Sequence, residues 1–266
     1  MMLEWILGYL ALGALVGFFA GMLGIGGGAI MVPILVLMLD AQGLPREQVL
    51  HLAVGTSMST ILFTSLSSIR SHHRRGSIRW DIFRSMTPGI IAGGLAGSVV
   101  ATLVPASALA VAFTLVIFFA ATNILLDRKP HPSRGLPGPA GLFGVGAGIS
   151  AVSAVAAMGG AFISVPYMLW CNVAMLQAVG TAASLGFPIA VAGTIGYVYN
   201  GLHDSGLPPL TLGYIYLPAM AGIVVTSMLV APLGAAAAHS LPTKWLKRIY
   251  AILLYVLAVR MLIKVW

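Results

Sequence analysis

Apolar runs of membrane-crossing scale, broken only by glycine, proline or charge, fill almost all of this chain and leave few folds open to it. They cover residues 5–23, 29–39, 48–69, 86–104 and 107–126, then 139–158, 161–175, 178–200, 212–238 and 244–265. Composition agrees: of 266 residues, 59% are hydrophobic and 8% are Asp, Glu, Lys or Arg, against about 25% charged residues in soluble domains. A mean hydropathy of +1.00 leaves too little polar surface for a water-facing globule, whereas about 20 apolar residues suffice for one helix to cross a bilayer. The expected fold is all-α, a polytopic transmembrane helical bundle held in a lipid bilayer. The start MMLEW lacks the positive region of a cleavable leader, so the first run reads as a retained span.

The runs form two sets of five, and the sets are copies. Gly26-Gly27-Gly28-Ala29-Ile30-Met31-Val32-Pro33 matches Gly159-Gly160-Ala161-Phe162-Ile163-Ser164-Val165-Pro166, and Ala53-Val54-Gly55-Thr56 matches Ala178-Val179-Gly180-Thr181. Pro88 aligns with Pro218, and Val104 to Leu109 with Leu241 to Leu246, in the same order. The organisation read from this is a first repeat over residues 1–127, a linker over 128–138 and a second repeat over 139–266.

An odd number of crossings per copy turns the second copy upside down, and positive charge tests this because Lys and Arg collect in cytoplasmic loops. The loop after the third run carries Arg70, Arg74, Arg75, Arg79 and Arg84, whereas its counterpart at 201–211 has no Lys or Arg. Conversely, Val104 to Ala108 is uncharged while its counterpart carries Lys244, Lys247 and Arg248. With Arg128, Lys129 and Arg134 in the linker, 11 of the 14 basic residues fall on one side. The halves are therefore expected to have inverted topology, with both termini outside a bacterial cytoplasmic membrane. The net charge of +8 is explained by this bias, so no nucleic-acid partner is implied.

Chemistry inside the membrane is sparse. Glu4, Asp40, Glu47, Asp81, Asp127 and Asp204 all lie in loops or at segment ends, which excludes a carboxylate proton relay of the kind used by many pumps. The histidines His51, His203 and His239 sit near rims, His72 and His73 in the basic loop and His131 in the linker, so no metal set is expected. The single cysteine, Cys171, reads as a small core residue. No nucleophile, base and orienting group occur together, so the chain is not expected to be an enzyme, and no cofactor is implied.

The informative residues are glycines. Gly24-Ile25-Gly26-Gly27-Gly28-Ala29 has the outline of a dinucleotide fingerprint, but it joins two membrane segments and has no strand before it. Its use is different: Gly26, Gly27 and Gly28 let the backbone leave helical geometry, and the run that follows opens with free N–H groups and a positive dipole end. Such a start can hold an anion without any buried Lys or Arg, provided the irregular backbone lines a cavity. Eleven residues, 29–39, cover about 16 Å against about 30 Å of hydrocarbon, so this run is broken or re-entrant. Gly159 and Gly160 repeat the device, and Pro33 and Pro166 are expected to kink both short helices. The two helix starts are expected to face one central cavity, with glycines at a tight turn between packed hydrophobic helices, and no ligand, as the competing reading.

Gly55-Thr56-Ser57 and Gly180-Thr181-Ala182 add hydroxyls able to orient an anion, with back-bonding to their own helix as the competing use. Gly13, Gly17 and Gly21, and again Gly89, Gly93 and Gly97, recur every four residues and mark close helix packing.

Taken in order, GFFAGMLGIGGGAIMVPIL, AVGTSMSTILFTSLSSIRSHHRRGSIRWDIF and TPGIIAGGLAGS, followed by MGGAFISVPYML, AVGTAASLGFPIAVAGTIGY and APLGAAAAHSLP, resemble the sulfite exporter TauE/SafE family of membrane permeases over essentially the whole chain. The resemblance implies transport of small anions such as sulfite, sulfonates or related organic anions across the bacterial inner membrane. Ser153 to Met158 departs from the glycine-rich approach of the first copy, so the second half is expected either to hold a ligand less symmetrically or to serve packing alone. Together these readings give an anion permease whose substrate contacts are Gly26, Gly27, Gly28, Gly55, Thr56, Ser57, Gly159, Gly160, Gly180 and Thr181. An inside-negative potential favours export, and the identity of a coupling ion, H⁺ or Na⁺, stays open, as does the oligomeric state. The rival reading is a membrane scaffold or assembly partner that transports nothing.

Overall fold

The computed structural model describes residues 2–23, 27–126, 133–240 and 243–265. In chain order these form α1 (Met2–Leu23), α2 (Gly28–Ala41), α3 (Arg46–Arg74), α4 (Trp80–Leu103), α5 (Ala106–Leu126), α6 (Pro139–Ala156), α7 (Ala161–Trp170) and α8 (Met175–Gly201). A two-stranded antiparallel hairpin, β1 (Thr211–Leu212) and β2 (Ile215–Tyr216), then leads into α9 (Leu217–Ser240) and α10 (Thr243–Val265). The molecule is an all-α bundle.

Six of these helices, α1, α3, α4, α5, α6 and α8, are long and apolar enough to cross a membrane, and the protein is multi-pass. The short elements fall where the glycine turns require them. At 14 and 10 residues, α2 and α7 reach only about 21 and 15 Å, so neither spans the hydrocarbon alone. Both continue through their internal prolines, Pro33 and Pro166. Each proline withdraws one N–H, from the carbonyls of Ala29 and Phe162 respectively.

Packing interlocks the first five helices with the last five. Methyl groups added to Gly13, Gly17 and Gly21 would strike Ile223, Ser227 and Ala231, so α1 lies backbone to backbone along α9 and parallel to it. In the same way Gly89, Gly93 and Gly97 of α4 meet Phe143, Ala147 and Ala151 of α6. Glycine at every fourth position thus does what the spacing predicts, and each half's first helix is seated on the other half's fourth.

At the centre lie α3 and α8, the most buried of the candidate spans. Gly55 approaches Tyr197, Met58 approaches Gly193 and Ser65 approaches Gly186. One number rises as the other falls, so the two helices run antiparallel.

Candidate functional site

The two glycine turns meet in the core. Gly27 and Gly28 are buried, as are Met158, Gly159 and Gly160, and a methyl on Gly28 would lie 1.7 Å from the carbonyl oxygen of Ala157. Only a glycine permits that approach. The first turn is sealed on its other side by Val16 of α1, whose Cγ1 lies 2.0 Å from where a methyl on Gly27 would stand. In place of an open cavity, the structure has the start of α2 in direct contact with Ala157, in the turn that precedes α7. The sequence-predicted Gly26 lies outside the described residues.

Both helices start in the same manner. The Gly27 carbonyl accepts the N–H of Ile30 and Met31 at 3.2 and 3.0 Å, and the Gly160 carbonyl accepts those of Ile163 and Ser164 at 3.1 and 2.9 Å. The positions correspond residue for residue. The N–H groups ahead of these, at Gly28 and Ala29 and at Ala161 and Phe162, have no intrahelical acceptor. The turns themselves differ: Gly160 has φ +72°, a left-handed geometry suited to glycine, whereas Gly27 has φ −79°.

Thr56 and Thr181 are held by backbone from the opposite half. The Tyr216 N–H donates to Thr56 Oγ1 at 2.9 Å, and the Arg79 N–H donates to Thr181 Oγ1 at 2.9 Å. Two residues ahead of each donor, a carbonyl presses on the adjoining glycine. A methyl on Gly55 would lie 2.3 Å from the Tyr214 oxygen, and one on Gly180 would lie 2.5 Å from the Ser77 oxygen. Each Gly-Thr pair is thus a seat for an extended strap, 214–216 in one case and 77–79 in the other. The register matches Ser77 to Tyr214 and Arg79 to Tyr216, so Pro88 aligns with Val225 and not with Pro218, a correction of seven residues to the sequence alignment. The slip arose because proline followed by glycine-rich helix is too common a pattern to fix register.

Anchoring of the straps is asymmetric. Tyr214 donates through its hydroxyl to Asp204 at 3.0 Å, and Gln48 donates to both Asp204 oxygens at 3.2 Å. Burial, and then the Asp204 carboxylate, pushes the Tyr214 phenol up to about 12, so it stays a donor. On the other strap, the Ser77 hydroxyl donates to the His72 carbonyl at 3.1 Å and lies 3.0 Å from His72 Nδ1. Arg79 pairs with Asp81, which raises the guanidinium pKa further.

Among the described residues, several buried hydroxyls back-bond to the preceding helical turn, as Ser59, Thr60, Ser65, Ser98, Ser164 and Ser184 do. Ser57, Ser150 and Ser153 do not: each is fully buried with no hydrogen-bond partner for its oxygen. Thr114 and Thr194 are likewise without a partner, and an orphaned buried hydroxyl costs about 1–3 kcal/mol. Ser57 shares a face of α3 with Ile61, which touches Gly28. Ser153 Oγ lies 3.3 Å from where a methyl on Gly160 would stand. Sequence reading registered Ser153 only as a departure from glycine and missed Ser150.

Among the described residues, no Lys, Arg, Asp or Glu is fully buried. His51, in the second turn of α3, is buried; its Nδ1 and Nε2 face the carbonyls of Glu47 and Ala101 at 3.3 and 3.1 Å. Its ring lies 5.3 Å from Tyr214. Cys171 is a buried free thiol. A surface cavity of about 150 Å³ lies apart from the turns, beside the Asp40–Arg46 ion pair.

Residues 9–261 match the family described as sulfite exporter TauE/SafE. The chain belongs to that family. A probable membrane transporter protein of Haemophilus influenzae is 33% identical over 265 residues, which cover 99% of this chain and 100% of that protein. The probable membrane transporter protein YdhB of Bacillus subtilis is 30% identical over 205 residues, 71% of this chain and 78% of its own. One from Methanocaldococcus jannaschii is 26% identical and covers 94% of this chain and 93% of its own. No solved structure matches the chain. This TauE/SafE member is a membrane transporter, and the relatives favour transport over both enzyme and scaffold readings.

Proposed function

We propose that this TauE/SafE protein is a permease for small anions such as sulfite or sulfonates, which it exports across the bacterial inner membrane. The observation that carries the reading is the contact of the α2 start with the turn that precedes α7, in a core that has orphaned hydroxyls and, among the described residues, no buried Lys, Arg, Asp or Glu. An anion there takes its donors from main-chain N–H groups and from Ser57, Thr56 and Thr181, near the membrane midplane. Gly28 lies directly against Ala157, so in this reading transport needs the two turns to part. A bound anion would separate the turns.

Inverted halves, with both termini outside, supply alternating access in this reading. It is supported by the antiparallel run of α3 against α8 and by the reciprocal straps, one carrying Arg79, the other free of Lys and Arg. Release of one strap opens the site to one side of the membrane while the other stays seated.

Purified protein in liposomes tests the function. Loaded sulfite or methanesulfonate is expected to leave under an inside-negative potential, since 100 mV favours exit of one negative charge by about 2.3 kcal/mol, close to a fiftyfold gradient. An absence of flux under either polarity returns the molecule to the scaffold reading. Reporter fusions near Arg75 and Asp204 are expected on opposite sides; the same side for both would end the inverted arrangement.

A further inference from the structure

Resting on the permease reading, we propose that Ser153, together with the N–H groups that open α7, selects singly charged oxyanions over doubly charged ones. The site is built on one pivot. The Ser153 carbonyl accepts the N–H of Ala157 and, at 3.3 Å, that of Met158, so the left-handed turn at Ala157, φ 47°, is wrapped around this residue. That turn delivers the chain to Gly160, the residue that caps the start of α7, and the Ser153 oxygen lies 3.3 Å from where a methyl on Gly160 would stand. The hydroxyl is fully buried and has no partner, in a chain whose other buried serines mostly bond to their own helix.

One turn earlier on the same face, Ser150 is equally buried and unpartnered. Its oxygen lies 2.6 Å from where a methyl on Gly94 would stand, so α4 leaves space for this hydroxyl by having no side chain there. The register of the glycine turns, Gly27 on Gly160, puts Gly17 and Ala20 at the equivalent places in the first half. The hydroxyl pair therefore belongs to the second half alone, and an anion rests on α7 more than on α2.

Charge selection follows from the kind of donor. Every group near Ser153 is neutral, and among the described residues no Lys or Arg is buried. The cost of stripping water from an ion rises with the square of its charge, while the return from fixed neutral dipoles rises only with its first power. A singly charged oxyanion can be held by O–H and N–H donors; a doubly charged one needs a cation that is absent from these buried side chains.

Counterflow of radiolabelled methanesulfonate in proteoliposomes tests this, with methylphosphonate as competitor. The two are close in shape, and methylphosphonate carries one charge in mild acid and two in mild base. Competition is expected in acid and is expected to weaken by about tenfold or more in base, with methanesulfonate self-competition unchanged. Ser153→Ala is expected to slow exchange roughly tenfold to hundredfold, as for a lost hydrogen bond to a charged group. Its unfolding temperature in detergent should stay level or rise, because the oxygen removed bonds to nothing. Equal competition by the doubly charged form, wild-type exchange by Ser153→Ala, or a lower unfolding temperature for that variant would each overturn the proposal. Wild-type protein that exchanges neither methanesulfonate nor sulfite refutes the permease reading itself and carries this one with it.

Discussion

Strap 77–79 and strap 214–216 solve one problem with different materials. Each presents a carbonyl to a glycine and, two residues later, an N–H to a threonine, and each does so on a helix of the opposite half. The first follows α3 after a tight turn through Gly76, φ +62°, and carries arginine. The second is the hairpin β1–β2, tied down by Asp204, Tyr214 and Gln48. What is shared is the seat; what differs is the outward anchoring. Under the proposed alternating access this combination is what a device opening toward two unlike compartments needs, because the seat then releases in both directions while each exterior meets a different charge environment.

The largest effect is expected where the shared part is broken. A methyl at Gly55 or Gly180 would overlap a backbone carbonyl at 2.3 or 2.5 Å, and backbone cannot swing aside as a side-chain tip does. Gly55→Ala and Gly180→Ala are each expected to unseat one strap and abolish anion flux in liposomes, with the protein still inserted. Full flux in either variant would mean that its strap is decoration.

Sidedness sharpens the comparison at the threonines. Thr56→Val and Thr181→Val each leave a buried N–H without an acceptor, at a cost of about 1–3 kcal/mol, enough to raise the open population of one strap roughly tenfold to hundredfold. In a Cys171→Ser background, a membrane-impermeant thiol reagent should reach Ser57→Cys from outside when Thr56 is valine. It should reach Ala182→Cys from inside when Thr181 is valine. Labelling of both from the same side would break the comparison outright, whereas Thr→Ser at either position should restore protection.

Helix boundaries were largely legible in the sequence, because charge and proline close off the apolar runs: the run 107–126 is α5 within one residue, and 244–265 is α10 likewise. The glycine stripes were legible too, since a period of four on one face has few other uses in a membrane helix. The strap seats were not. Their donors are main-chain N–H groups 160 and 102 residues away from Thr56 and Thr181, and a backbone donor leaves no mark in residue identity. The same limit explains why the run 212–238 hid a hairpin at its start: Thr211, Leu212, Ile215 and Tyr216 are as apolar in sum as a helix end. Ser150 and Ser153 were hidden for another reason. A serine that back-bonds and one that waits for a ligand read alike until the acceptor at the preceding turn is inspected.

The smallest effect is expected at glycines that touch nothing, and it decides whether losses at Gly55 and Gly180 come from the straps or from any change of glycine in a membrane helix. Gly144 and Gly148 lie on α6, yet a methyl at either would have no atom within 4 Å. Two residues from Gly144, Gly146 faces α4, where a methyl would stand 2.6 Å from the Met86 carbonyl. Gly144→Ala should therefore leave anion flux at the wild-type level and stabilise the helix by about 0.5–1 kcal/mol through backbone entropy alone, read as a slightly higher unfolding temperature in detergent. A flux defect in Gly144→Ala as large as in Gly180→Ala would show that helix flexibility, and not the seating of a strap, limits transport.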